Sequence, residues 1–218
     1  MAGTATRLSL VRDKIARAAK SAKRDPSEVT LVAVTKQRSE KEIEPLIAAG
    51  VKDFAENRVA EAAEKWPSLR AAHPELKLHM IGRLQSNKAE DAVTLFDVIH
   101  SLDRLSLLNA LIAAAEKFCR SPGVYVQVNI GGEAQKGGVA IGELVPFLEQ
   151  VHTSPLKLEG LMAMPPLGQQ AGPYFALLAE IARRHGVRGL SMGMSADYPT
   201  AVLLGATAVR IGSALFDD

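Results

Sequence analysis

The sequence has few of the residues that mark secreted, membrane-spanning or nucleic-acid-binding proteins. Cys119 is the single cysteine in 218 residues, which excludes an intramolecular disulfide framework and is typical of a reducing compartment such as the cytoplasm. No apolar run reaches the roughly 18 residues that a membrane-spanning helix needs. Aromatic residues make up only 5%, and the net charge is +2, which is too small to indicate nucleic acid as a partner. We therefore expect a cytoplasmic protein with an aliphatic core, and neither a membrane nor nucleic acid as a partner.

Basic residues are concentrated in the N-terminal segment. Apolar residues recur there at helical spacing, at Leu8, Val11 and Ile15. Basic residues, including Arg12 and Arg17, occupy positions outside this apolar series. This pattern predicts an amphipathic helix that packs on the domain and exposes a basic face. A transit peptide or a docking face for RNA or an acidic partner is the alternative, and the lack of interleaved aromatic residues counts against RNA.

Apolar, β-rich segments alternate with helical patterns along the rest of the chain. The predicted strands are Thr30–Thr35, Asp53–Ala55, Leu76–Ile81, Asp97–His100, Val124–Asn129, Leu158–Met162, Gly189–Met192 and Thr207–Ile211. The predicted helices are Glu40–Ala49, Val59–Ser68, Lys88–Val93, Arg104–Phe118, Ile141–Val151, Pro173–His185 and Tyr198–Leu204. Strands that are apolar on both faces and alternate with helices indicate a parallel sheet. Eight such units favour an α/β fold of the closed (β/α)₈ TIM-barrel type, as a single domain over 1–218 with an extra N-terminal helix.

Two short apolar segments near the C-terminus each end in small residues. These are Gly193, Met194 and Ser195 after the first segment, and Gly212 and Ser213 after the second. Glycine lets backbone N–H groups approach a ligand, and serine adds a hydroxyl donor. Ser195 also suits the N-cap of the helix that follows it. Because turns at the ends of the last two strands bind phosphate in β/α barrels, the tail predicts a phosphate site.

Lys36 ends the first predicted strand, in the motif LVAVTK. The carboxyl ends of barrel strands face the active site, and a partly desolvated lysine there can attack a carbonyl group to form a Schiff base. A lysine after a strand is otherwise a solvated surface residue, and the predicted phosphate site is what favours the chemical role. This combination suits pyridoxal 5′-phosphate (PLP) and a sugar-phosphate aldolase equally, so a cofactor-binding protein and a cofactor-free enzyme are both consistent with it.

Arg210 lies two residues before Gly212, near the end of the last predicted strand. Its guanidinium forms either a salt bridge at the barrel rim or a contact with the pyridine nitrogen of PLP. Since arginine stays protonated, it cannot accept a proton from that nitrogen. A neutral ring nitrogen makes PLP a weaker electron sink for carbanion chemistry. The second interpretation therefore favours a PLP-binding protein over an efficient PLP enzyme.

Several motifs together resemble a known family. They are AVTK at 33–36, FAENRVAE at 54–61, HMIGRLQSNK at 79–88, HSLD at 100–103, VQVNIGGEAQKGG at 126–138, GLMAM at 160–164 and LSMGMSADYPTAVLLGATAVRIGSALF at 190–216. Over nearly its whole length the chain resembles the pyridoxal-phosphate homeostasis proteins (the YggS/PROSC family), which share their barrel with the N-terminal domain of alanine racemase. The resemblance implies the barrel of PLP fold type III, PLP as the cofactor, no metal, and a role in vitamin B6 homeostasis and in the balance of amino and keto acids.

The resemblance also implies roles for individual residues. Lys36 is expected to bear PLP covalently as an aldimine, and Arg210 to face its ring nitrogen. The residues that match the phosphate-binding positions and their surroundings are Met194, Ser195, Gly212 and Ser213. Asn57 and His79 match polar residues near the cofactor face, although a helix cap and a packed strand-edge histidine explain them equally well. Lys136 matches a family lysine near the mouth of the site, although the residues around it favour a solvated lysine in a flexible loop.

The sequence departs from the family pattern at its end. The family usually ends in Phe-Gly plus a few residues, whereas here Phe216 is followed by Asp217 and Asp218. Two carboxylates beside a phosphate group would repel it unless they point outward.

Racemisation on this barrel needs a second acid/base, which alanine racemases take from a tyrosine in a C-terminal β-domain of the partner subunit. The sequence stops soon after its eighth predicted strand, and Tyr125, Tyr174 and Tyr198 lie in no corresponding segment. We therefore expect a monomeric carrier of PLP without efficient catalysis, which exchanges PLP with apo forms of PLP-dependent enzymes. A low-activity PLP-dependent racemase or lyase is the alternative.

Overall fold

Eight parallel strands close into a barrel in chain order. The structure is a computed structural model that describes residues 3–133 and 135–217. The strands are β1 (Thr30–Val34), β2 (Asp53–Glu56), β3 (Lys77–Met80), β4 (Val98–Leu102), β5 (Gly123–Gln127), β6 (Lys157–Met162), β7 (Gly189–Ser191) and β8 (Ala208–Ile211). β1 pairs with β8 in parallel, with Val32 opposite Arg210 and Ala33 opposite Ile211. The predicted (β/α)₈ barrel is confirmed.

Helices follow the strands on the outside of the barrel. They are α1 (Thr4–Ser21), α2 (Glu40–Ala48), α3 (Val59–Ala72), α4 (Ala89–Leu95), α5 (Leu105–Phe118), α6 (Leu144–His152), α7 (Ala171–Arg184), α8 (Tyr198–Leu203) and α9 (Ser213–Phe216). α3 extends beyond its predicted end at Ser68, because Leu69 in its last turns is buried against the barrel. α6 begins at Leu144, after a 3₁₀ turn over the predicted start of the helix. Within the described ranges, no helix is both long and apolar enough to cross a bilayer.

The predicted amphipathic helix at the N-terminus is α1, which packs against α8 and α9. Its buried face consists of Leu8, Val11, Ile15, Ala18 and Ala19. Basic side chains at both ends of this segment tie it to the C-terminal part of the fold. Arg7 donates to the carbonyl oxygen of Phe216 at 3.1 Å, and Arg24 donates to that of Val202 at 3.0 Å. α1 therefore supports the last two helices, which lie beside the mouth of the barrel.

The main apolar core lies between the strands and the surrounding helices. Phe54 on β2 and Trp66 on α3 pack there with their ring centroids 5.3 Å apart, and both are fully buried. Burial of one large apolar side chain contributes about 1.5–3 kcal/mol, so this layer supplies most of the stabilisation. Inside the barrel, Val32, Val34, Ala55 and Ala208 form a second and much smaller apolar cluster.

Polar side chains fill much of the remaining barrel interior and form one chain of hydrogen bonds. An Arg210 N–H donates to Ser191 Oγ at 2.6 Å, and Ser191 Oγ lies 2.8 Å from His100 Nδ1. His100 Nε2 lies 2.9 Å from His79 Nδ1, and His79 Nε2 lies 3.1 Å from Asp53 Oδ1. Arginine can only donate and a carboxylate can only accept. All four hydrogen bonds can therefore run in the same direction, with each donor on the Arg210 side and each acceptor on the Asp53 side.

His100, in the middle of this series of hydrogen bonds, is fully buried. Burial, together with smaller electrostatic effects of His79 and Arg210, holds the pKa of His100 well below its usual value. The ring of Tyr125 stacks on it at a centroid distance of 4.4 Å, and burial raises the pKa of Tyr125 to about 12. Both groups are therefore neutral near pH 7, which suits an interior that already contains a guanidinium.

The depressed pKa of His100 makes the stability of the fold depend on pH. Below about pH 6.5 the unfolded chain binds a proton at this histidine that the folded chain does not. The free energy of unfolding should therefore fall as the pH falls below 6.5, by up to about 1.4 kcal/mol per pH unit from this group. Urea unfolding of the wild type and of His100→Asn between pH 5 and 7 (about two units) measures the slope.

We expect His100→Asn to have a smaller slope than the wild type, whatever its absolute stability. His185→Gln is the matched control, because His185 is exposed at the end of α7 and should leave the slope unchanged. Equal slopes for the wild type and His100→Asn would contradict the buried, neutral state of His100.

Candidate functional site

A cavity of about 900 Å³ opens at the carboxyl ends of the strands. The predicted site residues that line it are Lys36, Asn57, Met194, Ser195, Arg210, Gly212 and Ser213. The predicted lysine and the predicted phosphate turns thus face one space, because β1 and β8 are neighbours in the closed barrel. The remaining predicted residue, His79, does not line this cavity.

Lys36 extends from the end of β1 into the cavity, and its side chain is exposed. Within the described ranges, no hydrogen bond or ion pair engages its amine, so the nitrogen is available to a ligand. The next residue, Gln37, has φ = 58°, an uncommon backbone conformation for a residue with a side chain. The lysine is therefore presented by a tight turn whose conformation needs support from its surroundings.

A buried ion pair behind the turn provides that support. Lys65 Nζ on α3 donates to the carbonyl oxygens of Thr35 at 2.9 Å and of Arg38 at 3.0 Å, on either side of Lys36. It also lies 2.7 Å from Oε1 of Glu56, whose side chain is fully buried. The same carboxylate oxygen accepts from the hydroxyl of Thr35 at 2.7 Å. Removal of one partner from a buried ion pair leaves an uncompensated charge, so this pair is a strong constraint on the turn.

Two turns on the other side of the cavity meet through Ser195. Its Oγ accepts from the backbone N–H of Gly212 at 3.3 Å and of Ala214 at 3.2 Å. The prediction that Ser195 caps the following helix is wrong. α8 begins at Tyr198 with Asp197 at its N-cap. The hydroxyl of Ser195 instead contacts the turn after β8. Amide and hydroxyl groups are nonetheless concentrated here, as a phosphate site requires.

Gly193 fixes the course of the first of these turns. Its φ is +92°, and a Cβ atom added to it would lie 2.5 Å from Cβ of Ala201. Only glycine fits both the conformation and the space. The turn that carries Met194 and Ser195 therefore packs closely against α8.

Asp217 also lines the cavity, so the departure from the family pattern at the end of the sequence bears directly on the site. Asp217 forms an ion pair with Arg38, whose pKa is raised by this contact. Arg38 also lies 4.9 Å from the centroid of the Phe216 ring, which fixes the C-terminal segment over the turn that carries Lys36. The charge of Asp217 is thus offset by a neighbouring cation. Asp218 lies outside the described residues.

Arg210 reaches the cavity from the barrel interior and is only 4% exposed. Its guanidinium donates to the carbonyl oxygens of Ser191 at 2.8 Å and Ala163 at 3.2 Å, besides Ser191 Oγ. Among the described residues, no carboxylate lies within ion-pair distance of it, so the salt-bridge interpretation does not hold. Burial lowers its pKa to about 10, which leaves the group charged at neutral pH. A buried cation held by neutral groups can still interact favourably with an acceptor in the cavity.

Asn57 lies at the edge of the cavity, next to the N-terminus of α3. It does not cap that helix, since Arg58 occupies the N-cap. Gly82 packs directly against it, because a Cβ atom added to Gly82 would lie 2.1 Å from the carbonyl oxygen of Asn57. His79 lies deeper in the barrel. Hydrogen bonds through His100 and Ser191 connect it to Arg210, which does line the cavity.

Several residues around the site were missed from sequence. Those that line the cavity include Arg38, Arg83, Gln127 and Met164. Gln127 carries a signal that could have revealed it, since a polar residue at the carboxyl end of a barrel strand faces the active-site rim. Glu56 carries a weaker one, a charged residue at the carboxyl end of β2, and Lys65 on α3 carries none. Within the described ranges, no group of three or more His, Cys, Asp or Glu side chains is arranged to bind a metal ion.

Comparisons with known proteins agree with this geometry. Residues 7–218 match the family model "Alanine racemase, N-terminal domain". The chain is 40% identical over 222 residues to the pyridoxal phosphate homeostasis protein of Pseudomonas aeruginosa, covering 99% of this chain and 96% of that one. The structure of PipY of Synechococcus elongatus PCC7942 with PLP bound has a TM-score of 0.84 and 36% identity, covering 98% of this chain and 99% of PipY.

A more distant similarity shows the fold alone. Alanine racemase of Clostridium difficile has a TM-score of 0.71 at 16% identity, and the match covers 94% of this chain and 55% of the racemase. This chain therefore shares its barrel with the racemases but is much closer in sequence to the homeostasis proteins. By sequence and by fold, the chain belongs to the pyridoxal phosphate homeostasis proteins, within the family defined by the alanine racemase N-terminal domain.

Proposed function

We propose that this protein binds PLP reversibly through a Schiff base on Lys36 and acts in intracellular PLP homeostasis and in the balance of amino and keto acids. In forming the Schiff base, the amine nitrogen attacks the aldehyde carbon of PLP and water leaves. The observation that carries the proposal is that one cavity is lined by the unengaged lysine, the amide- and hydroxyl-rich turns and the buried arginine. The lone Cys119 supports a cytoplasmic location.

The residues of the cavity fit the three functional groups of PLP. Lys36 supplies an amine for the aldehyde, and Ser195 and Ser213 supply hydroxyl donors for the phosphate, with Gly212 lining the cavity beside Ser213. Arg210 supplies an N–H for the ring nitrogen without taking its proton. PLP, when bound, would provide the electrophilic aldehyde and an electron-accepting ring.

Two features of the chain support a carrier rather than an efficient enzyme. The guanidinium of Arg210 stays charged and leaves the ring nitrogen unprotonated, which weakens the ring as an electron sink. None of Tyr125, Tyr174 and Tyr198 is among the described residues that line the cavity, so none is placed to act as the second acid/base. The cavity is open to solvent at the barrel mouth, which suits exchange of PLP with apo forms of PLP-dependent enzymes. We propose that the protein does so as a monomer.

Borohydride reduction tests the proposed bond to Lys36. Wild-type protein treated with PLP and then with borohydride should retain a pyridoxyl group on the peptide that contains Lys36, as measured by mass spectrometry. Lys36→Ala should lose both this label and the visible absorption band, because no other lysine is among the described residues that line the cavity. Lys41→Ala, at an exposed position on α2, is the matched control and should label fully. A label on Lys136 in place of Lys36 would contradict the proposal.

Chiral analysis tests the absence of efficient catalysis. Prolonged incubation of the PLP-loaded protein with L-alanine should yield D-alanine no faster than Lys36→Ala with the same amount of PLP, since no tyrosine is among the described residues that line the cavity. An authentic alanine racemase serves as the positive control. Sustained formation of D-alanine that depends on Lys36 would establish the low-activity enzyme instead.

The turn that carries Lys36 should lose its conformation when the buried pair behind it is removed. The double variant Lys65→Met/Glu56→Gln removes both charges together, and so avoids leaving one of them unpaired. We expect it to fold and to bind PLP about tenfold more weakly, which corresponds to about 1.4 kcal/mol. Its affinity for pyridoxamine 5′-phosphate, which has no aldehyde to bond with Lys36, should be nearly unchanged.

That difference between the two ligands separates positioning of Lys36 from a general structural defect. Lys77→Met/Glu75→Gln is a matched control, because these residues lie at the opposite end of β3 from the cavity. Equal weakening of both ligands in the Lys65/Glu56 variant would show that the pair supports the cavity as a whole rather than the lysine.

A further inference from the structure

A second cavity, of about 550 Å³, adjoins the one that Lys36 lines. The two share Asn57 and Arg83 as a common wall. The second cavity lies between the start of α3 and the segment that follows β3. Its charged lining residues are Arg58, Arg83, Lys88 and Arg104, and none of the described residues that line it is acidic.

Two of these four cations are compensated by neighbours outside the cavity. The Arg104 guanidinium lies 2.6 Å from Oδ1 of Asp103, and Lys88 Nζ lies 3.2 Å from Oδ2 of Asp91. Over residues 3–133 and 135–217, no hydrogen bond or ion pair engages the guanidinium of Arg58 or Arg83. The cavity therefore carries two uncompensated positive charges in a concave surface, where the electrostatic potential is concentrated.

These charges define the chemical class of a ligand. A phosphate monoester carries about two negative charges at neutral pH, which matches the two free guanidinium groups, and its oxygens accept paired N–H donors from arginine. Ser86 lines the same cavity and adds a hydroxyl donor. The apolar residues that line the cavity are Val59, Ala60, Met80 and Leu84. Of these, Ala60 is exposed, so the cavity can also contact the organic part of such a molecule there.

We propose that this second cavity binds the phosphate monoester of a small organic molecule, at a site separate from the turns that contain Ser195 and Ser213. Neither serine lines the second cavity, and Arg58 does not line the first. Because Asn57 and Arg83 contact both spaces, a ligand in one alters the surroundings of a ligand in the other. The site thus stands beside the mouth through which the ligand of the first cavity enters and leaves.

Crystals of the protein soaked in tungstate, a heavy analogue of phosphate, test the location directly. We expect an anomalous-scattering peak within hydrogen-bond distance of both Arg58 and Arg83 in the wild type. Arg58→Gln should lose this peak and keep any peak at Ser195 and Ser213, so the outcome does not depend on what binds in the first cavity. Arg188→Gln is the matched control, since Arg188 is exposed just before β7, at the opposite end of the barrel. Absence of the peak in the wild type, or its persistence in Arg58→Gln, would overturn the proposal.

Equilibrium dialysis with phenyl phosphate and with benzoate tests the charge of the ligand in solution. Phenyl phosphate should bind the wild type more tightly than benzoate, and Arg58→Gln should weaken its binding about tenfold with an unchanged melting temperature. Arg188→Gln should bind phenyl phosphate as the wild type does. Equal affinities for the two probes, or equal loss of affinity in both variants, would show that the cavity does not recognise a doubly charged phosphate.

Discussion

The candidate site depends on the pairing of the first strand with the last. Val32 lies opposite Arg210, and Ala33 lies opposite Ile211, in a parallel register. Paired strands are about 4.8 Å apart, so the turn after β1 and the turn after β8 become neighbours at the same rim. Without this closure, Lys36 and Ser213 would lie at opposite edges of an open sheet. One set of backbone hydrogen bonds therefore creates both the fold and the cavity.

The interior of the barrel is adapted to a charged group. Barrels of this kind usually fill their interior with branched apolar residues, whereas here Arg210 is followed by a chain of serine, histidine and carboxylate groups down to Asp53. Desolvation of a guanidinium is costly unless its donors are satisfied, and the two backbone carbonyls and Ser191 satisfy most of them. This series of hydrogen bonds orients the Arg210 guanidinium without neutralising its charge. Its positive charge stays directed at the cavity.

Basic side chains are concentrated around the barrel mouth. The role of each depends on whether a carboxylate or a carbonyl oxygen binds it. Arg38 is used structurally, since it pairs with Asp217 and stacks on Phe216. Lys65 is buried and supports the turn before α2. Lys36 and Arg83 have no such partner within the described chain and face open space. A basic side chain here is therefore held in a structural contact where a carboxylate lies within reach, and is left available to a ligand where none does.

The sequence by itself determined the barrel and the residues at the ends of its strands, because strand–helix alternation and small residues after apolar segments are local patterns. Lys36, Gly212 and Ser213 were found in this way. Only the tertiary structure decided that Ser195 bridges to the turn after β8, that His79 lies below the cavity, and that Lys65 reaches the turn of Lys36. Each of these contacts joins residues that are distant in the chain, and side-chain partners across a closed barrel follow from packing and burial, which no local pattern encodes.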